Sequence, residues 1–321
     1  MNKQKQRNRQ SQAEKYEKFL EPQEWTQRFF QYIENEKMQS SHTLRNYRQA
    51  LGEVSVFFQG KQWDQLEYKD FRNYLFYLSK QDQLKGASMR LRFSALRSFY
   101  KYLQKFEIYE GNPVHTLKLP STEKRLPKFL SEEQVTRFLE APLELMKSEK
   151  DTQAKAWRYL RDAAILEFLY STGLRISELV NAEEKDLDQN PPMIRVLGKG
   201  KKERLVPVGE YAMAALQKYR NTLPAHLHTG LLFIGPSGKK ITPRAVQMMF
   251  KKYLAYAGLD PEITPHKLRH TFATHMLDHG ADLRSVQEML GHASLTATQI
   301  YTQVTTDRLK KSYEKSHPRA T

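Results

Sequence analysis

The chain has no cysteine. That excludes disulfides and thiolate metal sites but assigns no redox compartment, because cytosolic proteins have no need of cysteine either. It has no apolar run approaching the ~20 residues of a membrane span. Its start, MNKQKQRNRQSQAEKYEKFL, lacks the apolar middle of a secretory signal. The expectation is a cytoplasmic protein that does not insert into a membrane. Internal repeats are missing, as is low-complexity sequence beyond the basic start. The scarce charge is the negative one: 36 Asp and Glu stand against 52 Lys and Arg, a formal net charge of +16. Such a surplus exceeds what solubility needs and points to a polyanionic partner, either nucleic acid or an anionic membrane surface.

With 321 residues, 39% of them hydrophobic, two domains are expected. Residues 1–20 form a basic extension carrying Lys3, Lys5, Arg7 and Arg9, either a solubilising tail or a DNA-grasping arm. Over 21–117, apolar residues recur at three and four, as in Trp25, Phe29, Tyr32 and Ile33, then Leu44, Tyr47 and Leu51, then Phe71, Leu75 and Leu78. A fourth segment places Leu91, Ala95, Phe99 and Tyr102 on one stripe, with Arg90, Arg97 and Lys101 elsewhere around the helix. These patterns predict a small all-helical module. Pro120 and Pro127 interrupt helix, so 118–128 reads as a linker, and Ser131 with Glu133 and Gln134 starts a new helical series.

The second half, 129–321, opens with helices and breaks at Thr172 and Gly173, a C-cap glycine. MIRVLGKGKKERLVPV alternates around a glycine and lysine turn and predicts a β-hairpin, with Leu231 to Ile234 as a third short strand. Helix returns after Ile241, with Thr264 as N-cap and Pro265 as first-turn proline of one helix and Asp282 capping the next.

Five short stretches bear chemistry: TGLRISEL with Arg175, LGKGKKERLVPV with Lys199, HKLRH with His266 and Arg269, LGH with His292, and QIYTQV with Tyr301. Each alone is weak, since an arginine after a turn usually makes a surface ion pair and a tyrosine near a helix end usually packs. Together they supply what phosphodiester transfer requires: two permanent cations for nonbridging oxygens, a proton donor, a base and a nucleophile. Arginine suits the clamp because its fork matches phosphate oxygens and stays charged, whereas lysine can give up a proton. His266 and Arg269 lie three apart in the first turns of one helix, where the positive end of the dipole attracts phosphate and disfavours imidazolium. Tyr301, with an ordinary pKa near ~10, needs such a base and nearby cations to attack.

These stretches, with HTFATHMLDHGADLRSVQEMLGH and the closing HPRA, resemble the Xer branch of the tyrosine recombinases, a lambda-integrase-like family. The likeness covers almost the whole chain, the first half through SSHTLRNYRQAL and SMRLRFSALRSFYKYL. The resemblance implies a mainly α protein with a small antiparallel β-sheet: a helical core-binding domain and a catalytic domain closing as a two-domain, C-shaped clamp on duplex DNA. It implies Arg175 and Arg269 as the phosphate clamp, Lys199 as general acid, His266 as base, His292 hydrogen bonding to the phosphate, and Tyr301 forming a 3′-phosphotyrosyl link. Thr43, Arg45, Arg90 and Arg97 in the first half, and Lys201 and Lys202 beside Lys199, become candidate DNA contacts. It implies no cofactor. The implied partners are double-stranded DNA at a roughly palindromic site, further copies or a paralogue making a tetramer on two duplexes, and a septal DNA translocase. Resolution of chromosome dimers is the implied task, with integration of a mobile element as the alternative. One departure is the stretch 144–157, ELMKSEKDTQAKAW, longer than usual.

Other readings are weaker. His266 and His270 are four apart, but HKLRH lacks the internal glutamate of a zinc helix and sets cations beside the supposed metal. Asp162, Glu178, Asp186 and Asp188 have no spacing that specifies a Mg²⁺ cluster; caps and ion pairs fit them better, with Glu178 orienting Arg175 from the next turn. A DNA-binding module without catalysis would not need all six reactive residues. A topoisomerase-like enzyme would not need the tail, whose Leu309 and Tyr313 share one helical face that a neighbouring protomer would bury.

Overall fold

A computed structural model of the chain describes residues 24–35, 41–80, 86–120, 129–148, 156–198, 203–291 and 303–320. The basic extension, residues 121–128 of the linker and 149–155 of the long stretch lie outside the described residues. The chain divides into two compact units, Met1–Arg125 and Leu126–Thr321. No described helix is long and apolar enough to cross a membrane.

The first unit contains α1 (Trp25–Asn35), α2 (Ser41–Phe57), α3 (Tyr68–Lys80) and α4 (Gly86–Lys105). Spacing of the apolar positions decides which face each buries: α1 buries Trp25, Phe29 and Ile33, and α3 buries Phe71, Tyr74 and Leu78. The core is largely aromatic, with Phe29 and Trp63 both edge-on to Phe99 at 5.3 and 4.9 Å. The buried hydroxyl of Tyr100 donates to the Trp63 carbonyl at 2.9 Å, so it is not left unpaired. One expected core residue is displaced: Leu91 is 40% exposed, while Ala95, Phe99 and Tyr102 are buried. The inward face at the start of α4 begins at Met89 and Phe93, and position 91 lies roughly 200° around the helix from 89.

The second unit begins with α5 (Glu132–Ser148), where Ser131 and Gln134 exchange backbone-to-side-chain hydrogen bonds at 3.0 and 3.3 Å as a capping box. Then α6 (Ala156–Thr172) is buried almost all round, which is why it shows little amphipathic pattern. The short α7 (Ile176–Leu179) follows, then β1 (Leu187–Gln189), β2 (Pro192–Leu197), β3 (Glu203–Pro207), α8 (Glu210–Thr222), α9 (Pro243–Tyr256), α10 (Pro265–Asp278), α11 (Leu283–Leu290) and α12 (Gln303–Ser316). The expected hairpin is β2 and β3, antiparallel with Ile194 opposite Val206 and Val196 opposite Arg204. The third strand of the sheet is β1, not Leu231 to Ile234. Leu231 and Ile234 make only isolated bridges, to Glu183 and Lys240, while Leu232 and Phe233 fill the core. A short apolar run reports burial rather than strand pairing, and the polar LDQ of β1 carries no alternation to betray it.

Thr264 accepts from the Lys267 backbone at 3.2 Å and Asp282 from the Ser285 backbone at 2.9 Å, the caps expected for α10 and α11. Gly173 ends α6 at φ +59. A Cβ there would stand 2.6 Å from the Phe272 ring, so the turn can approach α10 only as glycine.

The chain's own second unit covers the tail face that the sequence assigned to a neighbour. Leu309 and Tyr313 are buried in its core, and the Tyr313 and Ser171 hydroxyls lie 2.7 Å apart. Arg319 donates two hydrogen bonds to Glu167, at 3.1 and 2.5 Å, and lies over the Tyr211 ring. An apolar helical face left in water costs free energy, and a single chain can cover it only with itself. His317 sits among Tyr313, Phe272, His275, Arg319 and the Tyr170 carbonyl. Burial, together with the charges of His275 and Arg319, lowers its pKa from 6.5 to about 3.

The tail therefore docks with His317 neutral, and a released tail takes up a proton below pH 6.5. Docking is at full strength above that pH and weakens as pH falls from 6.5 toward 3. Glu167, raised above its ordinary value by burial against the opposing charge of Arg319, acts in the opposite sense. Digestion of the C-terminus by a protease of matched activity should quicken roughly eightfold between pH 7 and 5.5. His317→Gln should flatten that dependence, and an unchanged profile would mean the tail does not open by this route.

Candidate active site

Arg175 enters α7 directly after the Gly173 turn. Glu178, one turn on, accepts from its backbone N–H at 2.8 Å and its Nη1 at 2.9 Å. The carboxylate is held from the other side by Arg204 of β3, whose Nη1 and Nη2 donate to its two oxygens at 2.9 and 2.8 Å. Arg204 Nε donates to the Met289 carbonyl at 2.8 Å. Burial opposes the charge of Glu178, but the hydrogen bonds and charge of Arg204, with those of Arg175, outweigh it and hold the carboxyl below its ordinary pKa.

Arg269 approaches the same carboxylate, with Nη1 4.0 Å from Glu178 Oε2. Its Nη1 donates to the Gly173 carbonyl at 2.5 Å, and its Nη2 to the Leu290 carbonyl. Burial and the nearby Arg175 lower its pKa to about 10, so it stays charged at neutral pH. His266 lies one turn before Arg269 and is exposed, its ring only partly withdrawn from water; that partial desolvation comes first, and the charges of His270, Arg269 and Arg175 follow, in lowering its pKa. The ring is thus a neutral acceptor near pH 7, and burial leads the causes. Three guanidiniums meet one carboxylate, so the pocket is net cationic, and Arg175 is the arginine that reaches solvent, its side chain 43% exposed against 5% for the other two.

The structure brings Arg175, His266 and Arg269 together. Lys199, Lys201, Lys202, His292 and Tyr301 lie outside the described residues, although the elements flanking them reach the pocket: β3 through Arg204 and the end of α11 through its carbonyls. Thr43, Arg45, Arg90 and Arg97 belong to the other unit. Arg45 is exposed on α2 and Thr43 is half-buried there. Arg90 is exposed and donates to the Pro120 carbonyl at 3.1 Å. Arg97 is half-buried and donates to the carbonyls of Val114 and Leu117 at 3.3 and 2.6 Å, an anchor for the chain leaving α4. Among the described residues no three His, Asp or Glu gather as metal ligands. Asp162 pairs with Arg161 and accepts from Tyr253, and Asp186 accepts from the Glu183 backbone, the structural roles expected of them.

Sequence reasoning passed over Arg204. Its signal was present, since Arg204 and Val206 share the inward face of β3, where an arginine is out of place unless paired.

Three guanidiniums sharing one carboxylate, with a neutral imidazole nearby, at the junction of a glycine turn, a helix start and a sheet edge form an arrangement chemically suited to an anionic group such as a phosphodiester. The chain belongs to the phage integrase family of tyrosine recombinases: residues 128–308 match that family and residues 26–105 match its N-terminal SAM-like domain. It is 41% identical over 309 residues to the tyrosine recombinase XerC of Pelotomaculum thermopropionicum, spanning 91% of this chain and 97% of that relative. The Tn1549 transposon integrase, solved with circular intermediate DNA, shares the fold with a TM-score of 0.66 at 20% identity, over 88% of this chain and 97% of that one. A lambda integrase tetramer bound to a Holliday junction gives 0.65 at 17% identity, over 88% and 81%.

Proposed function

We propose that this protein is a cytoplasmic site-specific recombinase that cuts and rejoins duplex DNA one strand at a time through Tyr301. The observation that carries the reading is the gathering of Arg175 and Arg269 around Glu178, with His266 within electrostatic reach of both arginines, in a net cationic site. In the cleavage step the Tyr301 oxygen bonds to phosphorus and the bond to the 5′ oxygen breaks. His266 takes the phenolic proton, and Lys199 gives one to the departing oxygen. Arg175, Arg269 and a hydrogen bond from His292 balance the charge on the nonbridging oxygens. The 3′-phosphotyrosyl ester conserves the energy of the broken bond, so a 5′ hydroxyl can reseal it by the reverse steps without a cofactor.

The surplus charge supports a clamp of both units on a roughly palindromic duplex site, with Thr43, Arg45, Arg90, Lys201 and Lys202 toward the backbone. Arg97, already engaged with two carbonyls, is the weakest member of that set. Four protomers on two duplexes, all this chain or shared with a paralogue and activated by a septal DNA translocase, would complete strand exchange. Likeness to XerC along nearly its full length supports chromosome dimer resolution as the task.

Incubation with a nicked suicide substrate should yield a covalent complex whose DNA-bearing peptide contains Tyr301. Genomic DNA trapped on that adduct should map to one site near the replication terminus. Sites flanking mobile genes would make the protein an element's integrase, and relaxation of supercoils without strand exchange would make it a topoisomerase-like enzyme.

A further inference from the structure

We propose that Arg204 is a positioning residue for cleavage, acting through Glu178 to keep Arg175 free for the scissile phosphate; this rests on the reading of Arg175 as a phosphate clamp. Both Glu178 oxygens are shared between the two arginines. Arg175 Nη1 and Arg204 Nη1 meet Oε1, and the Arg175 backbone N–H and Arg204 Nη2 meet Oε2. The fork fixes the carboxylate where it anchors the Arg175 backbone and spends only one guanidinium nitrogen of Arg175.

Arg204 is itself held. Its Nε donates to the Met289 carbonyl, and a Cβ on Gly291, which has φ +64, would stand 3.1 to 3.2 Å from its Cδ, Nε and Nη1. Its side chain therefore packs closely against the backbone that ends α11. A second buried cation, added to Arg269 and close to the exposed Arg175, is costly by desolvation and like-charge repulsion, and a packing role alone would be served more cheaply by an apolar side chain. Without Arg204, a buried carboxylate lacking its fork would turn to its remaining cations. The nearest are Arg175 and Arg269, already 4.0 Å away, and Arg175 would be drawn inward from its exposed position.

The test uses full-length protein carrying Arg204→Gln or Arg204→Lys, with three readouts: half-site affinity, single-turnover cleavage of a suicide substrate, and melting. Cleavage is measured on ordinary DNA and on a strand whose bridging 5′ oxygen is sulfur. Both variants should bind within about threefold of wild type and cleave roughly 100-fold more slowly, the scale of losing one preorganised donor set. Lysine should not rescue, because a point charge cannot form the fork. Sulfur should rescue neither variant, because the defect lies at the phosphate clamp and not at the leaving oxygen. Should the glutamine variant fail to fold, the charge-conserving lysine variant carries the test. Cleavage by Arg204→Lys within threefold of wild type, or restoration of either variant by sulfur, would overturn the proposal. Arg175→Ala run alongside separates the two readings: if it cleaves normally, the clamp assignment fails, whatever Arg204 does.

Discussion

Tyr301→Phe should bind its DNA site with nearly unchanged affinity and form no covalent complex at all. Only the hydroxyl attacks phosphorus, whereas affinity is spread over many phosphate contacts that the substitution leaves alone. Denaturing gels with labelled suicide substrate read the adduct, and gel shifts read the affinity. The structure removes the obvious substitute nucleophile: Tyr313 is 2% exposed, its hydroxyl 2.7 Å from that of Ser171, and burial raises its pKa. A phenylalanine variant that still became linked to DNA would place the nucleophile outside this scheme altogether.

Lys199→Ala should cleave ordinary DNA roughly 100- to 10,000-fold more slowly, the usual worth of a positioned acid. It should cleave a strand with bridging sulfur at close to the wild-type rate, since a thiolate whose conjugate acid has a pKa near ~8.5 departs with little help. Arg269→Ala should fail on both strands, but it also frees the carbonyls of Gly173 and Leu290 and so loses stability as well. Arg175→Ala is the cleaner comparator, because that side chain is exposed and no backbone carbonyl among the described residues depends on it. If sulfur fails to restore Lys199→Ala, the lysine positions DNA or balances phosphate charge, and Lys201 or Lys202 becomes the candidate acid.

How legible the protein was in its sequence depended on the range of each interaction. Caps act within one turn, so Thr264 and Asp282 were readable as letters. Amphipathic spacing acts within one helix, and Trp25, Phe29 and Ile33 are buried as their spacing requires. Alternation in one hairpin was enough for β2 and β3. Leu91 failed because a wide apolar helix does not say which of two faces meets its neighbours. β1 failed because an edge strand of three mostly polar residues is specified by its partner and not by itself.

The site divides along the same line. Residue chemistry pointed to the kind of reaction, through guanidiniums, a lysine, imidazoles and a tyrosine, and their order along the chain carried the resemblance to the tyrosine recombinases, with Glu178 one turn from the arginine it orients. Only the tertiary structure decided how the cations share the work. It placed Arg269 in the interior on two backbone carbonyls, left Arg175 at the surface, and brought Arg204 from the sheet to the far side of Glu178. It also returned the tail to its own core through Tyr313, His317 and Arg319. The reason is physical: a side chain's reactivity is carried by its own atoms, but its exposure, charge balance and hydrogen-bond partners are set by groups up to 152 positions away in sequence, as Arg319 and Glu167 are, and no local pattern encodes them.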